Sequence, residues 1–150
     1  MDISASITTL EQVQARLQQL QDLALDGVSG ILKFELLSID LEQQTGTFRA
    51  CTEPWMKNAA GTLHGGMIAT VLDHCMGALL YCTKDGDKFC PTVEMQASYH
   101  RPLIPGKTVL AKVRVVAKSR KLAHMAADVF QEDAPDKVCA SGTSVYFITD

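Results

Sequence analysis

The sequence predicts an α+β fold: one antiparallel β-sheet wrapped around a long central helix, with an extra helix at the N-terminus. Three observations predict it. Residues 65–83 are apolar on nearly every helical face, and such a helix belongs inside a domain rather than on its surface. Around it lie six segments with strand patterning, and sequential strands joined by short turns favour antiparallel pairing. The strands come in runs interrupted by helices, not in strict alternation with them, which points to α+β rather than α/β.

Taken in order, the first element is an amphipathic helix with Leu10, Val13, Leu17, Leu20 and Leu23 or Ala24 at helical spacing. Thr8 with Glu11 offers a capping box. Asp26-Gly27 closes this helix, and Ser29-Gly30 continues the break. Residues 31–40 and 46–53 read as two strands joined by a turn over 42–45. From Pro54-Trp55 a loop runs through Asn58 and Gly61 to His64, where the central helix opens. Gly66, Ala69, Gly77 and Ala78 on that helix admit close approach by neighbouring backbone. A polar loop, 84–88, contains Asp85-Gly86. Then Val93, Met95, Ala97 and Tyr99 alternate with Thr92, Glu94, Gln96 and Ser98, the period of a strand. Residues 102–106 form a turn, 108–117 a valine-rich strand, and 118–121 a basic turn. The last two strands are 122–131 and 138–148, joined across 132–137. The expectation is one domain over 1–150, with an N-terminal helix in 1–26 and the core in 31–150.

Composition narrows the function classes. A chain of 150 residues fits one compact domain, and 47% hydrophobic residues are enough for a real core. A net charge of −3 with no dominant basic block argues against a nucleic-acid partner. The N-terminus lacks a basic start and an apolar export core. The longest apolar-rich stretch, 67–82, is interrupted by Thr70, Asp73 and His74, short of the roughly 20 residues that span a bilayer. Cys51, Cys75, Cys82, Cys90 and Cys139 are odd in number, scattered and without a CxxC pair. The expectation is reduced thiols in a cytoplasm, with no membrane partner and no zinc site.

Asp73 is the informative residue. Between Asn58 and Thr83 it is the sole Asp, Glu, Lys or Arg, and its helical neighbours Ala69, Thr70, Met76 and Gly77 cannot neutralise it. An unpaired buried carboxylate costs on the order of several kcal/mol, so stability alone does not call for one here. The plainer alternatives are a basic partner from a distant strand or a wet edge. His64-Gly65-Gly66 is the second feature. The first amides of a helix lack intrahelical acceptors and carry a partial positive charge, and glycine lets a ligand oxygen come close. Such amides can hold an oxyanion, although an ordinary loop-to-helix junction would look the same. Gly65 and Asp73 lie eight residues apart, about 12 Å along one helix axis. If both act on one reacting carbonyl, they come from two helices related by a two-fold axis, which makes the protein a dimer with two composite sites.

The stretch NAAGTLHGGMIATVLDHCMGALLYC closely resembles the motif of the hotdog-fold thioesterase superfamily. The nearest branch is the phenylacetyl-CoA thioesterase (PaaI-like) type, which includes the thioesterase superfamily member 2 type. The resemblance covers the chain from about Ile31 onward. It rests on Asn six residues before His, then HGG, then Asp nine residues after that His. It implies the hotdog fold and hydrolysis of an acyl- or aryl-CoA thioester to free acid and CoA, with CoA part of the substrate and no cofactor. It implies that Asn58 positions the thioester or water, that Gly65 donates to the oxyanion with Gly66 beside it, and that His64 is the motif histidine, catalytic or structural in role. Asp73 is implied as the catalytic carboxylate, acting as base or nucleophile, and Thr92 as the residue that orients the attacking water. Asn58 and Gly65 would come from one subunit, Asp73 and Thr92 from the other, in a homodimer that commonly pairs into a homotetramer. Lys118, Arg120 and Lys121 resemble the basic residues that related enzymes set against CoA phosphates, and Arg101 is a weaker candidate. A solvated hairpin tip is the plain alternative for that turn. His64, His74 and Cys75 do not complete a metal-ligand set. Cys75 and Cys82 read as core, as do Met67, Met76 and Met95 unless they line an acyl pocket. Two other functions stay open: a non-catalytic acyl-CoA-binding or sensor protein, and a hydroxyacyl dehydratase, whose usual HFPG-type loop this sequence lacks.

Overall fold

The computed structural model describes residues 6–149. Helices α1 (Leu10–Leu23) and α2 (Val28–Leu32) lead into strands β1 (Glu35–Asp40) and β2 (Thr45–Cys51). A 3₁₀ turn, Pro54–Met56, precedes the central helix α3 (Gly65–Thr83). Strands β3 (Thr92–Tyr99), β4 (Thr108–Lys118), β5 (Leu122–Gln131) and β6 (Val138–Phe147) complete the chain. The six strands form one sheet in the order β1-β2-β4-β5-β6-β3, every pair antiparallel. This is the hotdog architecture: the sheet curls around α3, and α1 packs against that helix from outside.

The core follows from the binary pattern. Leu72, Cys75, Met76, Leu79 and Leu80 of α3 are fully buried against Phe48, Val109, Ala111, Met125, Val129 and Ala140 of the sheet. Leu72 lies over Gly142, where a Cβ would stand 3.0 Å from a Leu72 methyl and 3.2 Å from the Gln96 carbonyl oxygen. Glycine at that position is what lets helix and sheet approach so closely. By length and composition α3 could cross a membrane, but more than half of it is buried inside the fold.

Strand ends shift by one or two residues, as in β2 over Thr45–Cys51 rather than 46–53, and two further departures from the sequence reading stand out. The capping box is formed by Thr9 and Gln12, one residue beyond Thr8 and Glu11: the Thr9 Oγ1 accepts from the Gln12 amide and the Gln12 side chain accepts from the Thr9 amide. Residues 28–32, expected as a break followed by strand, instead form α2, and β1 begins only at Glu35. The cause is tertiary. Ser29 Oγ hydrogen-bonds His74 Nδ1 at 3.0 Å, and the Phe34 ring stacks on His74 with centroids 3.7 Å apart. Those contacts anchor the segment on α3, and Lys33 in the left-handed conformation ends the turn. On the other side, buried Arg16 of α1 donates to the Gly86 carbonyl and lies 5.3 Å above the Tyr81 ring, tying α1 to the C-terminal end of α3.

Candidate active site

Asp73 projects from the middle of α3 toward the junction of β3 and β6, partly buried. No ion pair among the described residues involves it; those present join Arg49 to Glu35 and Glu132, and Lys107 to Asp133. Its charge is met by hydroxyl groups. Thr92 Oγ1 donates to Asp73 Oδ1 at 2.8 Å, and the Tyr146 hydroxyl lies 2.9 Å from the same oxygen and 2.7 Å from the Asp73 carbonyl oxygen. Oδ2 accepts no hydrogen bond among the described residues. Burial, then the nearby Asp73 charge, pushes the Tyr146 hydroxyl well above its ordinary value, so it stays protonated and donates.

Sequence alternation alone sets Thr92 on the same face as Glu94, Gln96 and Ser98, away from the helix. A register shift between Thr92 and Glu94 reverses this. Thr92 pairs with Tyr146, whereas Glu94 pairs with Val145. A bulge of this kind re-aims a side chain, and here it brings Thr92 onto the inward face with Tyr146, both hydroxyls directed at Asp73.

At the start of α3, His64 is the N-cap, and its Nδ1 accepts from the Gly66 amide at 2.9 Å. The Gly66 N–H is therefore engaged within the helix start, whereas the Gly65 N–H meets no acceptor among the described residues. Tyr99 OH donates to the Gly65 carbonyl at 2.8 Å and steadies this first turn. Asn58 closes its own loop: Oδ1 accepts from the Ala60 and Thr62 amides, and Nδ2 donates to Thr62 Oγ1 at 2.8 Å. An open cleft of about 310 Å³ lies here, lined by Asn58, Gly65, Ile68, Tyr99, Arg101 and Leu103. Arg101 is exposed and donates to the Val138 carbonyl at 2.8 Å.

The sequence-predicted residues thus fall into two groups within one chain. Asn58, His64, Gly65 and Gly66 gather at the helix start; Asp73 and Thr92 gather about 12 Å further along its axis. Strand β3 links them, since Thr92 at its beginning reaches Asp73 and Tyr99 at its end reaches Gly65. The basic turn belongs to the Asp73 end. Lys118 pairs with Ala123, Ala123 with Tyr146, and Tyr146 with Thr92, one row across four strands. Lys118 and Arg120 are exposed, and Lys121 Nζ lies 5.8 Å above the Phe147 ring.

Tyr146 and Tyr99 are absent from the sequence-based candidates. Each sits in an apolar strand pattern, where an aromatic residue reads as packing, and only the sheet register points their hydroxyls at α3. Cys75 and Cys82 are buried as expected; burial raises the Cys75 thiol strongly and pushes Cys82 up to about 12, so neither supplies a thiolate near neutral pH. His74 faces the N-terminal helices, and burial lowers it to about 4.

Comparison with known proteins agrees with this architecture. The family model described as Thioesterase superfamily matches residues 60–137. Human (Homo sapiens) acyl-coenzyme A thioesterase 13 is 33% identical over 85 residues, covering 57% of this chain and 59% of that protein. The mouse (Mus musculus) protein of the same name is 31% identical over 72 residues, 48% of this chain and 51% of its own length. The chain thus aligns with between half and three-fifths of these relatives. Among solved structures, E. coli PaaI from the phenylacetic acid degradation operon superimposes with a TM-score of 0.80 at 12% identity, covering 95% of this chain and 97% of that one. Thioesterase superfamily member 2 from Mus musculus gives 0.76 at 21% identity, covering 95% and 100%. At such identities the structural likeness speaks to the fold. With the family match spanning just over half of its residues, this chain belongs to the thioesterase superfamily.

Proposed function

We propose that this protein is an acyl-CoA thioesterase, hydrolysing an acyl- or aryl-CoA thioester to a free acid and CoA. One observation carries the reading: Asp73, a carboxylate without a cationic partner among the described residues, is held by two hydroxyls on a core helix with one oxygen left unengaged. The name of the acyl-coenzyme A thioesterase 13 relatives supports the substrate class.

In the proposed reaction Asp73 Oδ2 takes a proton from water as the water oxygen attacks the thioester carbonyl. The carbonyl oxygen becomes an oxyanion and meets the unengaged Gly65 N–H at a helix start, a donor worth about 3–4 kcal/mol of barrier. Collapse breaks the C–S bond; CoA leaves as thiolate and takes from Asp73 the proton that the carboxylate removed from water, which restores Asp73 as the acid departs. Asn58 helps position the thioester or the water, His64 caps the Gly65 turn, and Thr92, which donates to Asp73, orients the attacking water beside it. Lys118, Arg120 and Lys121 meet CoA phosphates at the Asp73 end, with Gly66 beside the thioester. Backbone amides and the carboxylate supply the polarisation, and the scheme draws on no metal or redox cofactor.

A base and an oxyanion donor about 12 Å apart on one helix do not meet at one carbonyl, so the proposal includes a homodimer. Strand β3 has a neighbour on one side only, and apart from half-buried Met95 and Ala97 its residues are exposed. A free strand edge is a template for another chain. Antiparallel pairing of two β3 edges about a two-fold axis would lay the Asp73 end of one chain against the Gly65 end of its partner. Two such dimers pairing would give a homotetramer, acting in the cytoplasm.

Asp73→Asn should lower turnover at least 100-fold in a thiol-release assay over a panel of acyl- and aryl-CoA substrates, with the sedimenting species unchanged. A folded Asp73→Asn protein with near-normal turnover would remove the mechanism, and a monomer at working concentration would remove the shared site.

A further inference from the structure

We propose that Tyr146 is a positioning residue for the Asp73 carboxylate, assigning Oδ1 to anchorage and leaving Oδ2 as the oxygen that acts. The inference rests on the reading of Asp73 as the acting carboxylate, and it concerns a residue outside the 60–137 span that the family model matches.

Tyr146 is 2% exposed. A buried hydroxyl is costly to desolvate unless it is hydrogen-bonded, so phenylalanine would serve better if packing were the whole role. Its hydroxyl lies within 2.9 Å of Asp73 Oδ1 and 2.7 Å of the Asp73 carbonyl oxygen. It has one proton to give. The carbonyl lies inside α3, where the amide four residues on already serves it, and the carboxylate, being charged, is the stronger acceptor. Thr92 Oγ1 donates to the same Oδ1 at 2.8 Å. Two donors on one oxygen fix the carboxylate plane, which a single donor would leave free to rotate.

The fold is arranged around this pair. Tyr146 and Thr92 are register partners, and the bulge at Val93 turns Thr92 inward beside Tyr146. The ring runs along Gly77, one turn beyond Asp73, where a Cβ would already stand 3.4 Å from a ring carbon. The ring is thereby held while its hydroxyl reaches the carboxylate.

Tyr146→Phe removes one oxygen and keeps the ring. In the full-length protein, with an acyl-CoA that the wild type turns over, kcat should fall at least fivefold while KM stays within twofold. Placed in the Asp73→Asn background, the same change should alter the residual rate by less than twofold, because there is no carboxylate left to orient. A wild-type kcat in Tyr146→Phe, or an equal loss with and without the Asp73 carboxylate, would overturn the positioning role and leave Asp73 untouched. Wild-type turnover in Asp73→Asn would instead overturn the reading of the site itself.

Discussion

His64 acts on its own helix. Its Nδ1 takes the Gly66 N–H, while its backbone amide donates to the Met56 carbonyl at 2.8 Å. Occupying the second amide leaves the first, that of Gly65, as the donor directed outward. Loss of a side-chain cap costs about 1 kcal/mol, so His64→Ala should lower unfolding stability by about that amount in urea titration. His64→Asn, which can accept the same N–H, should recover most of it; equal destabilisation by both would remove the capping role. Asp73 and the HGG turn were legible as residues, because a lone charge in an apolar helix and paired glycines at its start are local features. Tyr146 was not legible: it lies 73 positions from the carboxylate it touches, in a strand where tyrosine reads as ordinary core.

Among elements, the contact between α3 and β6 leaves no room for a larger residue at Gly142. A methyl at Gly142 would meet both Leu72 methyls at 3.0–3.1 Å, and the Gln96 carbonyl blocks the other side. Overpacking of this kind costs about 1–3 kcal/mol. Gly142→Ala should therefore lower the melting temperature by several degrees, and an unchanged melting curve would show that the helix can lift from the sheet freely. The central helix and strands β3 to β6 lie within about a residue of the spans read from the sequence, since long apolar runs and turn residues mark their ends. Residues 28–34 did not. Their apolar residues fit a strand as well as a turn of helix, and the choice is made by Ser29 and Phe34 docking on His74, 45 and 40 residues away. The bulge at Val93 was equally hidden, because period-2 alternation continues through it without a break in residue type.

For the whole molecule, His74 links the N-terminal helices to the helix that carries Asp73. Burial lowers it to about 4 from 6.5, and the adjacent Asp73 charge offsets only part of that. Between those values the unfolded chain binds a proton that the folded chain refuses. Its contribution to stability is therefore intact above about pH 6.5 and is lost as pH falls toward 4, by on the order of 3 kcal/mol in all. Thermal melts at pH 7 and pH 5 should show a larger drop for the wild type than for His74→Phe, which keeps the stacking on Phe34 and cannot be protonated. An identical pH dependence in the two proteins would exclude this linkage.

The linear sequence by itself determined the long buried helix, the antiparallel strands around it, the isolated carboxylate at Asp73 and the glycine-opened helix start. Each follows from side-chain polarity and periodicity within one segment. Tertiary structure alone decided that Thr92 turns inward, that Tyr146 joins it on a single oxygen, and that residues 28–32 coil instead of extending. Those outcomes depend on sheet register and on contacts between segments far apart in the chain, and neither is encoded in a local pattern.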